Sequence, residues 1–359
     1  MSPRFLTPLL LIACGGDAPS PKSDAAPCVP ELPSEFDLEI LTGTRVIEST
    51  STVPWSGVER SVPVRVYYPT DDTSGTSAKY IDLLEDPHAL VDASLRKSEC
   101  THPLLVWSHG SQAYMGNGSP LVRQLVADGW VVIAPEHTGN TLIDNWDPRP
   151  MDFDMLRVHD VQHALDLVES LPETDPLAGR VDTSRVVVAG HSYGGQTAWL
   201  FSGPTFDAET IATRCEESEL GCDNGEADAY QAVDDPRVVG VMPLAGSAST
   251  SIVAAEGWAT VHTPVLYITG SEDTDGKPAF DDTNGHDVTW VEIQGACHES
   301  FTFTALTCPG MEDSESFPIV STYLNAFAWT QVLESDDADL NGIVAGTVSV
   351  ADPAIAVAH

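Results

Sequence analysis

Apolar positions follow two patterns along this chain, and the change falls near residue 104. From there on, short apolar runs with no polar face recur: Leu104 to Ser108, Trp130 to Ala134, Val186 to Ala189, Val238 to Leu244, Pro264 to Thr269 and Val288 to Ile293. A strand without a polar face is covered on both sides, as in a parallel sheet. Between these runs, Pro120 to Asp128, Met155 to Leu171 and Phe317 to Leu333 have the spacing of amphipathic helices. The second presents Leu156, Val161, Ala164, Leu165 and Val168 on one face, and the last presents Tyr323, Leu324, Phe327 and Val332. Before residue 104, Thr44 to Ser49 and Ser61 to Tyr68 alternate apolar and polar residues about Trp55-Ser56-Gly57, which predicts an antiparallel lead-in at a sheet edge. The leucines of Ala78 to Lys97 fall at helical spacing and predict a helix. Alternation of strand and helix gives an α/β class, with a mostly parallel central sheet and helices on both faces.

One stretch breaks the alternation. Residues 206–236 are acidic and lack sheet periodicity, and they predict an insertion after the helix that follows Val188, over or beside the face of the candidate active site. The two ends also stand apart. Arg4 precedes an apolar run from Phe5 to Ala13 that is too short to span a bilayer and reads as a signal peptide over 1–13. Residues 14–42, rich in Pro, Ser, Ala and Asp at their start, predict an unstructured tether, which leaves 43–359 as one domain. Near the other end, Asp337-x-Asp339-x-Asn341-Gly342 imitates a calcium loop, but Val348 stands where the bidentate glutamate belongs. His159 and His163 have the one-turn spacing of zinc helices without the glutamate, and they read as a solvated face. No metal and no cofactor is expected.

Sixteen basic against 54 acidic residues give a formal charge of −38, a field that repels nucleic acid and anionic membrane surfaces. Setting Cys14 aside, six cysteines remain, an even number that suits an exported, disulfide-bonded protein. Local spacing favours Cys215–Cys222 and Cys297–Cys308, leaving Cys28 with Cys100.

The candidate chemistry lies where the third strand ends, at Gly190-His191-Ser192-Tyr193-Gly194-Gly195. A serine on a sharp strand-to-helix turn has its hydroxyl lifted clear of the sheet, with the N–H groups of a helix start behind it. Serine needs a base to take its proton, and the base needs an acid to orient it. Asp273 follows the strand ending at Thr269 and is the acid chosen, with Glu272 and Asp275 as fallbacks in the same turn. His298 follows the last strand and is the base chosen, ahead of His286, His262, His137 and His109. The oxyanion donors expected are the backbone N–H of Tyr193, next to the nucleophile, and that of Ser111 in His109-Gly110-Ser111.

Several motifs together resemble a known group. Leu105 to Gly110, Ala134 to Thr141, Leu177 to Asp182, Gly190 to Gly195 and Asp235 to Val238 look like those of α/β-hydrolases that include bacterial platelet-activating-factor-acetylhydrolase-like esterases and predicted dienelactone hydrolases. The likeness spans roughly residues 60 to 335, and the Cys215, Cys222 pair resembles cysteines of that region in the bacterial members. It implies an α/β-hydrolase fold and a serine esterase acting on short-chain or lipid-like esters. There are two departures. Dienelactone hydrolases proper use a cysteine nucleophile where this chain has Ser192. The animal acetylhydrolases carry their acid where this chain reads Leu244 to Ser247, so the acid has to come from the later strand. Leu11-Ile12-Ala13-Cys14-Gly15 resembles a bacterial lipobox, which implies lipid on Cys14 and attachment to the cell envelope, or a periplasmic or secreted protein if Cys14 stays unmodified. The readings held beside the esterase are a polyester or cutinase-like hydrolase and a non-catalytic surface lipoprotein. Either enzyme would meet a small-molecule or lipid ester, and only the N-terminal lipid would touch a membrane. The oligomeric state is open.

Overall fold

The computed structural model describes residues 25–222, 225–246, 252–253, 255–273, 280–281, 283, 288–350 and 354–358. Cys14, Asp275 and His286 lie outside them. The central sheet has eleven strands in the order β13-β12-β11-β10-β9-β7-β8-β4-β1-β6-β5. Its middle is parallel: β7 (His102–Ser108), β8 (Val131–Pro135), β9 (Val181–His191), β10 (Val238–Leu244), β11 (Val265–Gly270) and β12 (Val288–Ile293). Each apolar run of the sequence is one of these strands.

Burial on both faces accounts for the missing polar face. In β9, Val186 and Val188 enter one core and Val187 and Ala189 the other. The first core is closed by α2 (Phe153–Glu169) and α3 (Tyr193–Leu200), the second by α1 (Ser119–Ala127) and α6 (Asp313–Val332). Such strands cannot slip by one residue without moving side chains from one core to the other. Antiparallel strands flank the parallel block. β4 (Val64–Tyr68) joins β8, β1 (Thr42–Ile47) joins β4, and β13 (Ala354–Ala358) joins β12. A separate hairpin, β2 (Thr50–Thr52) with β3 (Glu59–Ser61), stands outside the sheet.

Three expectations are corrected. The helix expected over Ala78 to Lys97 is a hairpin of β5 (Thr76–Tyr80) and β6 (Leu84–Val91) at the sheet edge. Pro87 sits where the register shifts, a position a bulge tolerates and a helix interior does not. The tether expected over 14–42 is docked from residue 25. Cys28 N–H donates to Thr101 O at 2.6 Å, Ser34 N–H to Asp128 Oδ2 at 2.9 Å, and Phe36 and Leu38 pack on the second core. His159 and His163 do not form a solvated face, because each is half-buried against a serine, Ser51 and Ser49 respectively. The acidic turn at Asp337 caps a helix, α7 (Ala338–Val344), by accepting from the N–H groups of Asp339 and Leu340. The insertion at 206–236 holds α4 (Ala208–Glu217) and lies beside the start of α2, where Tyr230 Oη donates to Met151 O. A short helix, α5 (Ala255–Trp258), precedes β11.

The cysteines pair as Cys28–Cys100, Cys215–Cys222 and Cys297–Cys308, with Cα separations of 5.0, 5.4 and 5.8 Å. Three bonds of this kind suit an oxidising compartment. The first fastens the docked N-terminal segment across a separation of 72 residues. Replacing both Cys28 and Cys100 by serine is expected to lower unfolding stability by about 4 kcal/mol through chain entropy, read by denaturant titration. A loss below about 1 kcal/mol would mean that the bond adds no constraint of that kind.

Candidate active site

Ser192 is the residue between β9 and α3. Its backbone lies at φ 55°, ψ −118°, a region rare for a residue with a side chain, and it is held there by donating its N–H to Leu244 O at 2.8 Å. No larger residue fits on either side of the turn. A Cβ on Gly194 would lie 1.9 Å from Ser108 O, and one on Gly190 2.5 Å from Gly194 O. Such close backbone approaches are the reason the motif has glycine at both places.

The loops after β11 and β12 bring in two more polar side chains. Asp273 Oδ2 accepts from His298 Nδ1 at 2.9 Å. The loops themselves are laced together: Ser271 N–H donates to Ile293 O, Glu272 N–H donates to Ala296 O, and a Cβ on Gly270 would lie 2.1 Å from Ala296 O. His298 opens a 3-10 turn anchored by buried Phe301, and the Cys297–Cys308 bond closes the segment that carries it. Because a carboxylate only accepts, Nδ1 of the His298 ring is the donor, which leaves Nε2 of the neutral ring unprotonated. Ser192 and His298 both line one cleft of about 410 Å³, together with Gly110, Ser111 and Gln112.

Of the two oxyanion donors expected from sequence, Ser111 lines this cleft, and Tyr193 follows Ser192, which lines it. Tyr193 is the first residue of α3, so its N–H has no acceptor within the helix. In the opposite loop, Gln112 N–H is taken by Asn140 O and Ala113 N–H by Gly110 O, while Ser111 N–H has no backbone acceptor among the described residues.

Several side chains at the site were not singled out from the sequence. His191 is buried, donates from Nε2 to His298 O at 2.8 Å, and lies against the His298 ring at a tilt of 57°, with centroids 4.8 Å apart. Burial first, and His298 second, push its pKa down to about 3, so it stays neutral beside the base. His109 and His137, weighed as bases in the sequence, are fully buried, and burial holds both well below the ordinary histidine range. His137 donates from Nδ1 to Asp160 at 2.9 Å, its Nε2 meets Ser108 Oγ, and its own N–H donates to His109 Nε2. Their work is to hold the loop, and neither lines the cleft.

Glu136 lies in the same shell and accepts Met115 N–H at 2.7 Å. Burial raises its pKa to about 7. The folded state therefore binds a proton that the unfolded chain releases near the ordinary glutamate value. The stability this group contributes is whole at low pH and is lost as pH rises toward 7. Glu136→Gln is expected to flatten the fall in stability across that window and to be the more stable protein above pH 7, as read by melting at a series of pH values. Parallel curves for the two proteins would refute this.

No protein-family model matches the chain, and no curated protein matches it. Among solved structures, a ferulic acid esterase from Streptomyces cinnamoneus is similar, with a TM-score of 0.55, 19% sequence identity, and coverage of 86% of this chain and 94% of that one. That likeness, with the parallel sheet covered by helices on both faces, shows the α/β-hydrolase fold.

Proposed function

We propose that the chain is an exported serine esterase that cleaves carboxylic esters through an acyl-enzyme. The observation that supports it most is the meeting of Ser192, on its strained turn, with the His298–Asp273 pair at one cleft. In this reading His298 Nε2 takes the Ser192 proton as Oγ bonds to the ester carbonyl carbon. The N–H groups of Ser111 and Tyr193 receive the oxyanion, the proton passes to the departing alcohol, and water repeats the sequence to free the acid. Asp273 holds the ring in the tautomer required. A neutral His191 adds no like charge beside the imidazolium. The ferulic acid esterase neighbour favours ester chemistry in general, and the sequence motifs favour the bacterial acetylhydrolase-like group.

The walls of the cleft bear on the substrate. Ile81, Leu84 and Phe303 line it, with Leu83, Leu142 and Leu306 at 70%, 54% and 62% exposure, and Ile143 beside them at 82%. Large apolar side chains left in water around a cleft mark a place for apolar ligand. They favour an ester with an apolar acyl or alcohol part, such as a lipid-like ester, and they equally suit a water-insoluble polyester.

Ser192→Ala and His298→Ala are each expected to abolish hydrolysis of p-nitrophenyl esters, with Asp273→Asn losing about 10⁴-fold in turnover, as triad members act as a unit. A fluorophosphonate should label the wild type and not Ser192→Ala. The rate of the wild type should rise from acetyl to longer acyl esters. A labelled, active Ser192→Ala protein would put the nucleophile elsewhere.

Export is part of the proposal and is supported by the three disulfides, while no described helix is long and apolar enough to cross a membrane. Anchoring rests on the lipobox-like Leu11 to Gly15, and two or more acyl chains would make it stable. Mass spectrometry of protein from a native host should find acylated Cys14 as the first residue. Any other mature N-terminus would refute it.

A further inference from the structure

Arg157 is a fully buried arginine on α2, and among the described residues no carboxylate is hydrogen-bonded to it. All four of its hydrogen-bond acceptors are neutral: Thr197 Oγ1 at 2.9 Å, Asn140 Oδ1 at 2.9 Å, Ser108 Oγ at 3.2 Å, and the backbone carbonyl of His109. The nearby carboxylates are committed elsewhere. Asp160 takes both arms of Arg60 and the ring of His137, and Asp154 takes Tyr193 Oη and Gln196. Burial lowers the Arg157 pKa to about 10, so it is still a cation at neutral pH. A buried charge is costly unless its field or its bonds are used.

The guanidinium touches both sides of the oxyanion site. On one side it bonds the His109 carbonyl and, through Nη1, fixes the amide of Asn140, which donates from Nδ2 to Ser111 Oγ at 3.1 Å. The loop bearing the Ser111 N–H is thus gripped at two points. On the other side the guanidinium carbon lies 4.5 Å from the ring centroid of Tyr193, the residue bearing the second N–H. Thr197, one turn along α3, ties the same group to the helix behind the nucleophile.

We propose that Arg157 is the positioning residue of the oxyanion hole: it sets the spacing of the Ser111 and Tyr193 donors and supplies positive charge next to them. The inference rests on the esterase reading above. It requires that loss of Arg157 weaken binding of the charged transition state and spare the neutral substrate.

The test uses the full chain with a soluble p-nitrophenyl ester and two inhibitors. One is a trifluoromethyl ketone, which adds to the serine as an oxyanion, and the other is an uncharged amide analogue of the substrate. Arg157→Gln is expected to lower kcat about 10²-fold with KM within about threefold, and to weaken the ketone in parallel while the amide is unaffected. Arg157→Lys, keeping charge without the fork, should fall between Gln and wild type. Asn140→Ala keeps the arginine and removes its link to Ser111, together with one acceptor of Arg157 Nη1 and a 3.4 Å bond to Asn145. It should lose about tenfold in kcat and in ketone affinity, and it decides the matter if Arg157→Gln does not fold. A folded Arg157→Gln with wild-type kcat overturns the inference. So does a loss shared equally by ketone and amide, or an Asn140→Ala protein indistinguishable from wild type. Ser192→Ala separates the two levels: if it stays active, the esterase reading fails, and if it is dead while Arg157→Gln is fully active, this inference fails alone.

Discussion

The close approach of backbones at the end of β9 is the constraint on which the rest of the site depends. Gly190, Gly194 and Gly246 leave the strand end, the start of α3 and the loop after β10 so near one another that a single Cβ would meet a carbonyl oxygen within 2.5 Å at each. Only in that space can Ser192 be forced to a positive φ, at a cost of about 1–3 kcal/mol that the buried strands on both sides offset. Val187 and Ala189 in one core, and Val186 and Val188 in the other, keep β9 from shifting to relieve it. The strain is thereby stored where the hydroxyl has to project.

Charge is distributed on the same principle of scarcity. With so few basic residues against an acidic majority, several of the arginines are inside and hold elements together: Arg60 on Asp160, Arg123 on Asp86, and Arg157 on neutral partners alone. The first two are ion pairs in which each charge satisfies the other. Arg157 differs because its compensation comes from dipoles: a carbonyl, an amide oxygen and two hydroxyls. Dipoles already aimed at a cation leave its field free to act on a new negative charge nearby, and that arrangement is what electrostatic preorganisation requires.

The fold was legible because its parallel strands lack a polar face. Val186 to Ala189 is a short run rich in β-branched residues that ends at Gly190, and those features separate a strand covered on both faces from a buried helix. The edge was less legible. The leucines around residue 84 fit a helical period, and only Pro87 argued against it; bulge and pairing decided the outcome, and pairing is not local. The chain from residue 25 to 41 was misread for a similar reason. Its composition is that of a linker, yet Phe36 and Leu38 find a surface built by α1 and its neighbours. At the site, the serine, acid and base stood at strand ends, where order along the chain points to them. The supporting residues did not. Arg157 did leave a trace, since it precedes Val161 by four residues and Ala164 by seven on the buried stripe of α2. A cation in an apolar stripe signals a buried partner, but the partners come from β7, α3 and the loop after β8, and no spacing along the sequence joins them.

In the proposed triad, Asp273 and His298 need more restraint than Ser192, and the structure supplies it by different means. Ser192 is fixed by two secondary elements, whereas Asp273 and His298 sit on loops, and the His298 side chain is 41% exposed. A loop residue that open would sample several rotamers if its backbone were free. Here the two loops bond to each other through Ser271 and Glu272 and pack closely at Gly270, the His298 carbonyl is held by His191, and Cys297–Cys308 closes the segment behind His298. The link through His191 is the telling one. It joins the base loop to the residue immediately before Ser192, so a shift of either side of the site displaces the other. Ser192 and His298 are thus referred to one another through the His191 side chain and the His298 carbonyl, so their separation depends on the end of β9.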